Sequence, residues 1–284
     1  MTRIGDYTLH AIETGRFALD GGAMFGIVPR VLWERRIKPD DQNRIPMHMR
    51  CLLLASADRL ILIDNGIGDK YTEKFSDMFS VDDSELNLTA SLHTAGFSHG
   101  DVTDVILTHL HFDHCGGSTI RDGNGLRVAF PNATFHVQRA HWEWANVSNV
   151  REQASFLEEN LAPLGSSGQL NLVDGDGSLF PGVDLMCVDG HTKAMQLVKI
   201  HDSARTLLYC ADLLPTSAHL APPWNMAYDL WPMTTIEEKA RILKTAASEN
   251  WKLFFEHDAA VELADVEHSE RGARAVNPRT LAEW

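Results

Sequence analysis

Residues 102–114 read VTDVILTHLHFDH, an apolar run followed directly by a cluster of polar side chains. The run 102–107 is typical of a buried β-strand. Potential metal ligands then fall within six positions, at His109, His111, Asp113 and His114. Side chains two positions apart at the end of a strand, or in the loop after it, can converge on one ion. We therefore expect a metal site at the end of this strand.

The cluster has a structural alternative, because a single histidine in a protein is usually packed or solvated. However, bringing three imidazoles and a carboxylate to one place removes water from them, which costs free energy. Such a cluster therefore indicates a functional role. Three later residues also follow strand-like runs: His191 follows 183–188, Asp212 follows 206–210 and His257 follows 251–255. Each alone is compatible with a structural role. The ordered set indicates a metallohydrolase.

This order of motifs resembles the metallo-β-lactamase fold hydrolases, and the resemblance extends from about residue 47 to residue 257. It implies an α/β fold, a four-layer αβ/βα sandwich, which suits two β-rich halves with helices between them. With 284 residues and 44% hydrophobic content, the chain is expected to form a single domain over residues 1–284. Asp64, in an early Asp-x-Gly, would support the site without binding metal.

The same resemblance implies two metal sites. The first would be held by His109, His111 and His191, the second by Asp113, His114 and His257, with Asp212 bridging the two. Imidazole suits zinc, cobalt, iron and manganese, and a bridging carboxylate holds two such ions roughly 3.5–4 Å apart. We expect two divalent ions per chain, zinc first, with cobalt, iron or manganese as alternatives.

The expected chemistry is hydrolysis. Metal binding lowers the pKa of a shared water to about 7, so that a metal-bridging hydroxide would attack the substrate. Asp113 is the candidate for a carboxylate that both binds metal and moves a proton. No Gly-x-Ser-x-Gly and no phosphate-binding glycine loop is present in the sequence, which argues against a serine hydrolase or a nucleotide enzyme.

Three segments outside the ligand set are rich in Met, aromatic residues, Gly and Pro, namely 20–26, 47–49 and 222–232. This composition is typical of loops that wall an apolar pocket, and it predicts a small-molecule substrate with an apolar part. The alternative is that these are ordinary core or dimer-contact residues.

Two pieces resemble the N-acyl-homoserine lactonase group of the fold: Gly-Gly-x-x-Phe-Gly at 21–26 and Asp-Leu-x-Pro-Thr at 212–216. They imply an enzyme that opens a lactone or cleaves a related ester, with N-acyl-homoserine lactone (quorum quenching) as the candidate substrate. In that group a tyrosine three residues beyond the bridging aspartate assists the substrate carbonyl, whereas Pro215 stands here. Tyr228 or His219 is the candidate replacement, and the alternative for each is a pocket-wall or helix-packing role.

Two other activities of the same fold stay open. One is an organophosphate or phosphodiester hydrolase with the same metals, and the other is an iron-dependent thiol oxygenase. A net charge of −14 without a Lys or Arg cluster argues against nucleic acid as a partner. The complete ligand set also argues against a binding module without enzymatic activity, because such a protein would have no chemical use for it.

The expected setting is cytoplasmic, without a membrane partner. The amino terminus has no basic segment followed by an apolar core, and no apolar run approaches the roughly 18 residues of a membrane span. The four cysteines lie far apart, which suits reduced thiols. The early Met-rich segment with Trp33 could support a homodimer.

Several elements are predicted from local patterns. We expect a strand at 7–12, a hairpin of 49–55 and 60–63, and a helix over 84–95 that ends at Gly96. Further helices are expected at 140–146 and 151–160, with a break at Pro163. A capping box of Thr235 and Glu238 predicts a helix to about residue 247.

Overall fold

The computed structural model describes residues 2–123, 125–147, 149–270 and 272–284. The chain contains two compact units. The first comprises Asp6–Arg16 and Met49–Gly175, and the second comprises Thr2–Gly5, Phe17–His48 and Asp176–Trp284. The single domain expected over residues 1–284 stays a prediction.

A mixed sheet of seven strands within the described residues has the order β1-β2-β3-β4-β5-β8-β9. These strands are β1 (Thr2–Ile4), β2 (Tyr7–Asp20), β3 (Arg44–Ala55), β4 (Leu60–Ile63), β5 (Asp104–Ile106), β8 (Thr134–Gln138) and β9 (Leu170–Val173); β6 (Thr119–Asp122) and β7 (Gly125–Val128) form a separate hairpin. Strands β3 and β4 are antiparallel, whereas β4, β5, β8 and β9 run parallel. Parallel strands are normally covered on both faces, which accounts for the fully apolar sequence of β4.

A second sheet of seven strands, again counted over the described residues, follows chain order from β10 to β16. Its strands are β10 (Gly177–Phe180), β11 (Val183–Val188), β12 (Met195–His201), β13 (Thr206–Tyr209), β14 (Lys252–Phe254), β15 (Leu263–Ser269) and β16 (Gly272–Arg279). Neighbours are antiparallel except β13 and β14, which are parallel and need a crossover connection. The longest helix of the described chain, α8, lies in that connection.

The helices are α1 (Gly21–Phe25), α2 (Arg30–Trp33), α3 (Glu73–Phe79), α4 (Leu88–Thr94), α5 (Phe112–Cys115), α6 (Arg139–Asn146), α7 (Glu158–Ser166) and α8 (Pro232–Ser248). Short 3-10 turns occupy Gly116–Ser118, Ala211–Leu213, Ser217–Leu220 and Leu281–Glu283. Within the described parts of the chain, none of the helices has the length and apolar character that crossing a membrane requires.

The apolar core of the first unit fixes the strand that leads into the histidine cluster. Val105 and Leu107 are fully buried in it, together with Leu62 and Phe135 from the neighbouring strands. Burial of such side chains contributes roughly 1.5–3 kcal/mol each. The backbone that presents residues 109–114 is therefore held by a well-packed support.

Several predicted elements are confirmed: the strand at 7–12 lies within β2, the hairpin is formed by β3 and β4, and the helix at 140–146 is α6. The helix expected over 84–95 begins later, at Leu88, because the Asn87 side chain caps the Ala90 amide. The helix expected over 151–160 is wrong. Turns occupy most of that stretch, and the helix begins at Glu158 instead.

Two local rules failed for tertiary reasons. Pro163 lies inside α7 instead of breaking it, because the Glu159 carbonyl that a residue 163 amide would bond accepts the Thr119 hydroxyl at 3.0 Å. The capping box is also wrong, since α8 begins at Pro232 and Glu238 bonds the amides of another loop.

The early segment exposes apolar side chains, as the homodimer prediction requires. Ile27, Val31 and Leu32 are 88%, 60% and 45% exposed, whereas Trp33 is buried. The homodimer itself stays a prediction.

Candidate metal centre

Two histidines of the first unit approach each other just beyond β5. His109 Nε2 lies 3.1 Å from His111 Nδ1, and both side chains are buried. Two imidazole nitrogens at this distance share either a proton or a metal ion. The pair therefore has the arrangement of two ligands to one ion.

Asp113 and His114 follow on the short helix α5, with Asp113 Oδ2 3.8 Å from His114 Nε2. Asp64, which directly follows β4 and has a left-handed conformation (φ 55°), places Oδ2 3.2 Å from His114 Nδ1. Its Oδ1 accepts the Thr108 amide at 2.8 Å, and Oδ2 also accepts the Thr108 hydroxyl. Asp64 therefore holds one ring nitrogen of His114 and leaves Nε2 as its ligating atom.

Glu152 and His141 support the same loop, and neither was predicted from the sequence. Glu152 Oε1 lies 3.4 Å from His111 Nε2, while Oε2 accepts the Trp144 indole N–H at 2.6 Å. His141 Nε2 accepts the Leu110 amide at 2.8 Å. These contacts orient the ring of His111 and the backbone beside it, as carboxylate partners of metal-binding histidines do.

The second unit brings His191, Asp212 and His257 together at the ends of β11, β13 and β14. Asp212 Oδ2 lies 3.3 Å from His191 Nε2, and Asp212 Oδ1 lies 3.2 Å from His257 Nε2. All three side chains are buried. A carboxylate whose two oxygens face two different imidazoles has the arrangement of a bridging ligand.

The other ring nitrogens of these two histidines are held by acceptors. His191 Nδ1 lies 3.0 Å from Asp229 Oδ1, and His257 Nδ1 lies 2.8 Å from the His48 carbonyl. Each ring therefore presents Nε2 toward Asp212, with Nδ1 fixed from behind. Asp229 was not singled out from the sequence, because it meets His191 only through a fold contact spanning 38 positions.

The turn that carries His191 packs on helix α8. Glu238 accepts the amides of Asp189 and Gly190 at 2.7 and 3.0 Å. A Cβ at Gly190 would lie 2.4 Å from the Thr235 amide nitrogen, so only glycine permits this approach. The glycine of the Gly-His motif is thus required by packing against α8.

In each unit, the donor atoms are those that bind divalent metals: neutral imidazole nitrogens and carboxylate oxygens. They are buried, and the ring nitrogens that face away from the neighbouring donors contact a carboxylate, a backbone carbonyl or, for His109, the Thr108 hydroxyl. Buried groups of this kind are unfavourable without a shared cation or a network of hydrogen bonds. The donor set therefore fits metal binding.

His219 is fully engaged by its own unit. Its Nε2 donates to the Met24 carbonyl at 2.8 Å, its Nδ1 faces the Thr216 hydroxyl at 2.8 Å, and its ring stacks on Phe25. This arrangement favours a structural role, in which His219 anchors helix α1. Tyr228 is 40% exposed. The substrate-assisting roles predicted for both residues stay predictions.

Burial lowers the pKa of His219 to about 4. In the unfolded chain the imidazole is protonated near pH 6.5, whereas in the folded protein it stays neutral until about pH 4. As the pH falls from 6.5 toward 4, His219 therefore destabilises the folded state. Between about pH 7 and pH 5 we expect the metal-free protein to lose roughly 2 kcal/mol more stability than a His219→Gln variant. Urea unfolding at both pH values measures the difference. Equal losses of unfolding free energy in the two proteins would show that His219 is not held neutral by burial in the folded state.

The sequence profile of the metallo-beta-lactamase superfamily matches residues 49–257, well over half of the chain. The chain belongs to this superfamily. Its α/β class and the metallo-β-lactamase fold, predicted from the motif order, are confirmed. The chain is a metal-dependent hydrolase, as its membership in the superfamily and its lactonase and hydrolase relatives, described next, show.

Lactonases are among the relatives of this superfamily member. An N-acyl homoserine lactonase from a Bacillus species is 30% identical over 214 residues, which cover 70% of this chain and 73% of that protein. The chain spans 64 to 94% of the length of the Bacillus lactonases that it matches.

Solved structures agree in fold. A probable metal-dependent hydrolase from Staphylococcus aureus superposes with a TM-score of 0.87 at 29% identity, covering 98% of this chain and all of that one. The dizinc quorum-quenching lactonase AidC, in complex with a product, superposes with a TM-score of 0.80 at 23% identity, covering 98% of this chain and 96% of that one. At that identity the likeness to AidC concerns the fold alone.

Proposed function

We propose that this chain is a dinuclear metal hydrolase that opens the lactone ring of N-acyl-homoserine lactones, a quorum-quenching activity. The observation that carries the proposal is Asp212, whose two oxygens face two different imidazoles 3.3 and 3.2 Å away. The lactonase relatives support the substrate class.

In this proposal two sets of three residues would each hold one metal ion, and Asp212 would contribute to both sites. The first would be held by His109, His111 and His191, and the second by Asp113, His114 and His257. Zinc is the expected metal, and cobalt, iron or manganese would also suit these donors. When bound, two such ions supply Lewis acidity that lowers the pKa of water to about 7 and polarises a carbonyl.

Asp113 is the residue that we assign to proton movement. Opening a lactone releases an alkoxide, which must be protonated before the product can leave. Asp113 lies at the start of α5, is 6% exposed, and places Oδ2 3.8 Å from His114 Nε2. A carboxylate at this position can accept the proton that the attacking water gives up and deliver it from Oδ2 to the leaving oxygen.

An aromatic cluster in the first unit offers a place for the acyl chain. Phe112 directly precedes Asp113, and its ring packs against Phe75 and Phe79 with centroids 5.3 and 4.9 Å apart. All residues of α3, which carries Phe75 and Phe79, are described, and none is buried. An incompletely covered aromatic cluster beside a metal ligand suits an apolar guest.

Replacing Phe79 with alanine is therefore expected to weaken binding of long acyl chains. We expect KM for decanoyl-homoserine lactone to rise about tenfold, roughly 1.4 kcal/mol, with less than about a twofold change for the butanoyl lactone. Met78→Ala is the matched control, because Met78 lies on the same helix and is 59% exposed. A chain-length profile that does not differ between the two variants would remove the acyl-chain assignment.

The function itself is tested by substrate comparison with metal-replete protein. Acyl-homoserine lactones of varied chain length are compared with aryl phosphotriesters, and with a thiol substrate under oxygen in the presence of iron. Ring opening that exceeds the other activities supports the proposal. Faster phosphotriester cleavage, or turnover that consumes oxygen, would replace it with one of the two alternative activities.

We also propose that the enzyme acts in the reducing cytoplasm. All four cysteines lie within the described residues, and none of them forms a disulfide. Burial raises the pKa of Cys115 to about 12, which keeps this neighbour of His114 protonated and unreactive at neutral pH.

A further inference from the structure

Helix α8 carries a lysine that is almost completely buried. Lys239 is 1% exposed, and its Nζ donates to the carbonyls of Trp224, Ala221 and Pro222 at 2.9, 3.1 and 3.4 Å. Burial of a cation is unfavourable unless its donors are satisfied. Three carbonyls from one short loop satisfy the three N–H groups of the ammonium, so the loop is wrapped around this side chain.

The same loop leads from Lys239 to His191 through two polar side chains. Asn225 Oδ1 lies 3.5 Å from Lys239 Nζ, and Asn225 Nδ2 donates to Asp229 Oδ2 at 3.3 Å. Asp229 Oδ1 in turn lies 3.0 Å from His191 Nδ1. Asn225 and Asp229 are buried. A continuous series of polar contacts therefore connects the lysine to the back of an imidazole that faces Asp212.

Backbone contacts tie this loop to the His191 turn as well. The Leu230 amide donates to the His191 carbonyl at 3.0 Å, and the Trp231 amide donates to the Gly190 carbonyl at 2.9 Å. Glu238, the residue before Lys239, accepts hydrogen bonds from the Asp189 and Gly190 amides of the same turn. Two adjacent side chains of α8 thus support the turn that carries His191, Glu238 directly and Lys239 through the loop.

We propose that Lys239 is a positioning residue for His191, acting through the loop 221–229 and the Asp229 carboxylate. The proposal rests on the proposed function in one respect, that His191 binds a metal. A lysine suits this task because its three donors gather three carbonyls at one point, whereas an apolar side chain would remove all three hydrogen bonds. Loosening the loop would allow Asp229, and with it the His191 ring, to turn.

The test is metal affinity, measured by competition with a chelator on folded protein. Lys239→Met is expected to lower the zinc affinity of the site that includes His191 by about 10- to 100-fold. This is the range seen when the partner of a metal-binding histidine is removed. Asp229→Asn is expected to fall in the same range. Lys244→Met, an exposed lysine on the same helix, is the matched control and should bind as the wild type does.

A double variant separates positioning from a general loss of packing. If Lys239 acts through Asp229, Lys239→Met combined with Asp229→Asn loses little more affinity than Asp229→Asn alone, whereas independent effects multiply. The visible spectrum of the cobalt-substituted Lys239→Met protein should also change, because the ligand geometry at cobalt changes. If this variant does not fold, Asn225→Ala removes the same connection with a smaller change and is expected to show the same loss.

Unchanged affinity and cobalt spectrum in folded Lys239→Met, or losses that multiply in the double variant, would overturn the proposal. These outcomes are independent of the substrate. A wild-type protein that binds two metals but opens no lactone would refute the proposed function and leave the role of Lys239 intact.

Discussion

Replacing Asp212 with asparagine is expected to lower kcat/KM for lactone opening by about 10³-fold, roughly 4 kcal/mol of transition-state stabilisation. An amide offers one neutral oxygen, and its NH2 group repels a cation, so it cannot join two ions as a carboxylate does. Both Asp212 oxygens already face an imidazole, His191 or His257, within 3.3 Å. Steady-state kinetics together with elemental analysis measures the effect, and the metal content should fall below two ions per chain.

The control is Asp174→Asn, which removes the same charge from an exposed side chain of the first unit. It should retain the activity and metal content of the wild type. An Asp212→Asn protein that holds two ions and keeps more than about a tenth of the activity would show that this carboxylate is not the bridge.

The second large effect concerns stability. Asp64→Ala is expected to reduce the free energy of unfolding of the metal-free protein by about 3–5 kcal/mol, because buried donors of Thr108 and His114 lose their acceptor. All three side chains are buried. Alanine is also disfavoured at the left-handed conformation of residue 64 (φ 55°), which asparagine tolerates better. Urea unfolding measures the loss.

Asp64→Asn is the informative comparison, since it keeps an acceptor for the Thr108 amide and the tolerance of positive φ. It should lose distinctly less stability than Asp64→Ala but still bind metal more weakly, by about 10- to 100-fold, because His114 Nδ1 loses a charged partner. Equal stability of the alanine variant and the wild type would mean that Asp64 does not support the cluster.

The local part of the site was predictable from the sequence. Residues 109–114 lie directly after an apolar strand, and the strand fixes where their backbone begins. The later candidates His191, Asp212 and His257 also follow strands, and the second unit brings them together. Short-range patterns were informative here because a strand end determines the position of the next few residues.

The supporting residues were not predictable in the same way. Glu152 reaches His111 across 41 positions, and Glu238 reaches Asp189 across 49. No periodicity or capping signal encodes such contacts, and the local signal at Glu238 pointed to a capping box that does not form. The Phe75 and Phe79 pair did carry a signal, since aromatic residues four apart share one face of a helix.

The sequence also cannot show whether a candidate side chain is already occupied. His219 was chosen by residue type and position, yet both of its ring nitrogens have partners within the second unit. Conversely, Lys239 has no motif around it, and its importance follows only from three carbonyls brought to one point.

The central claim, that two metal ions sharing Asp212 open a lactone, is tested most directly by titrating metal-free protein with zinc while following proton release from N-hexanoyl-homoserine lactone. We predict that activity rises to a plateau at two equivalents of zinc per chain and is lost again on chelation. A plateau at one equivalent, or a protein that binds two equivalents and releases no protons from the lactone, would contradict it.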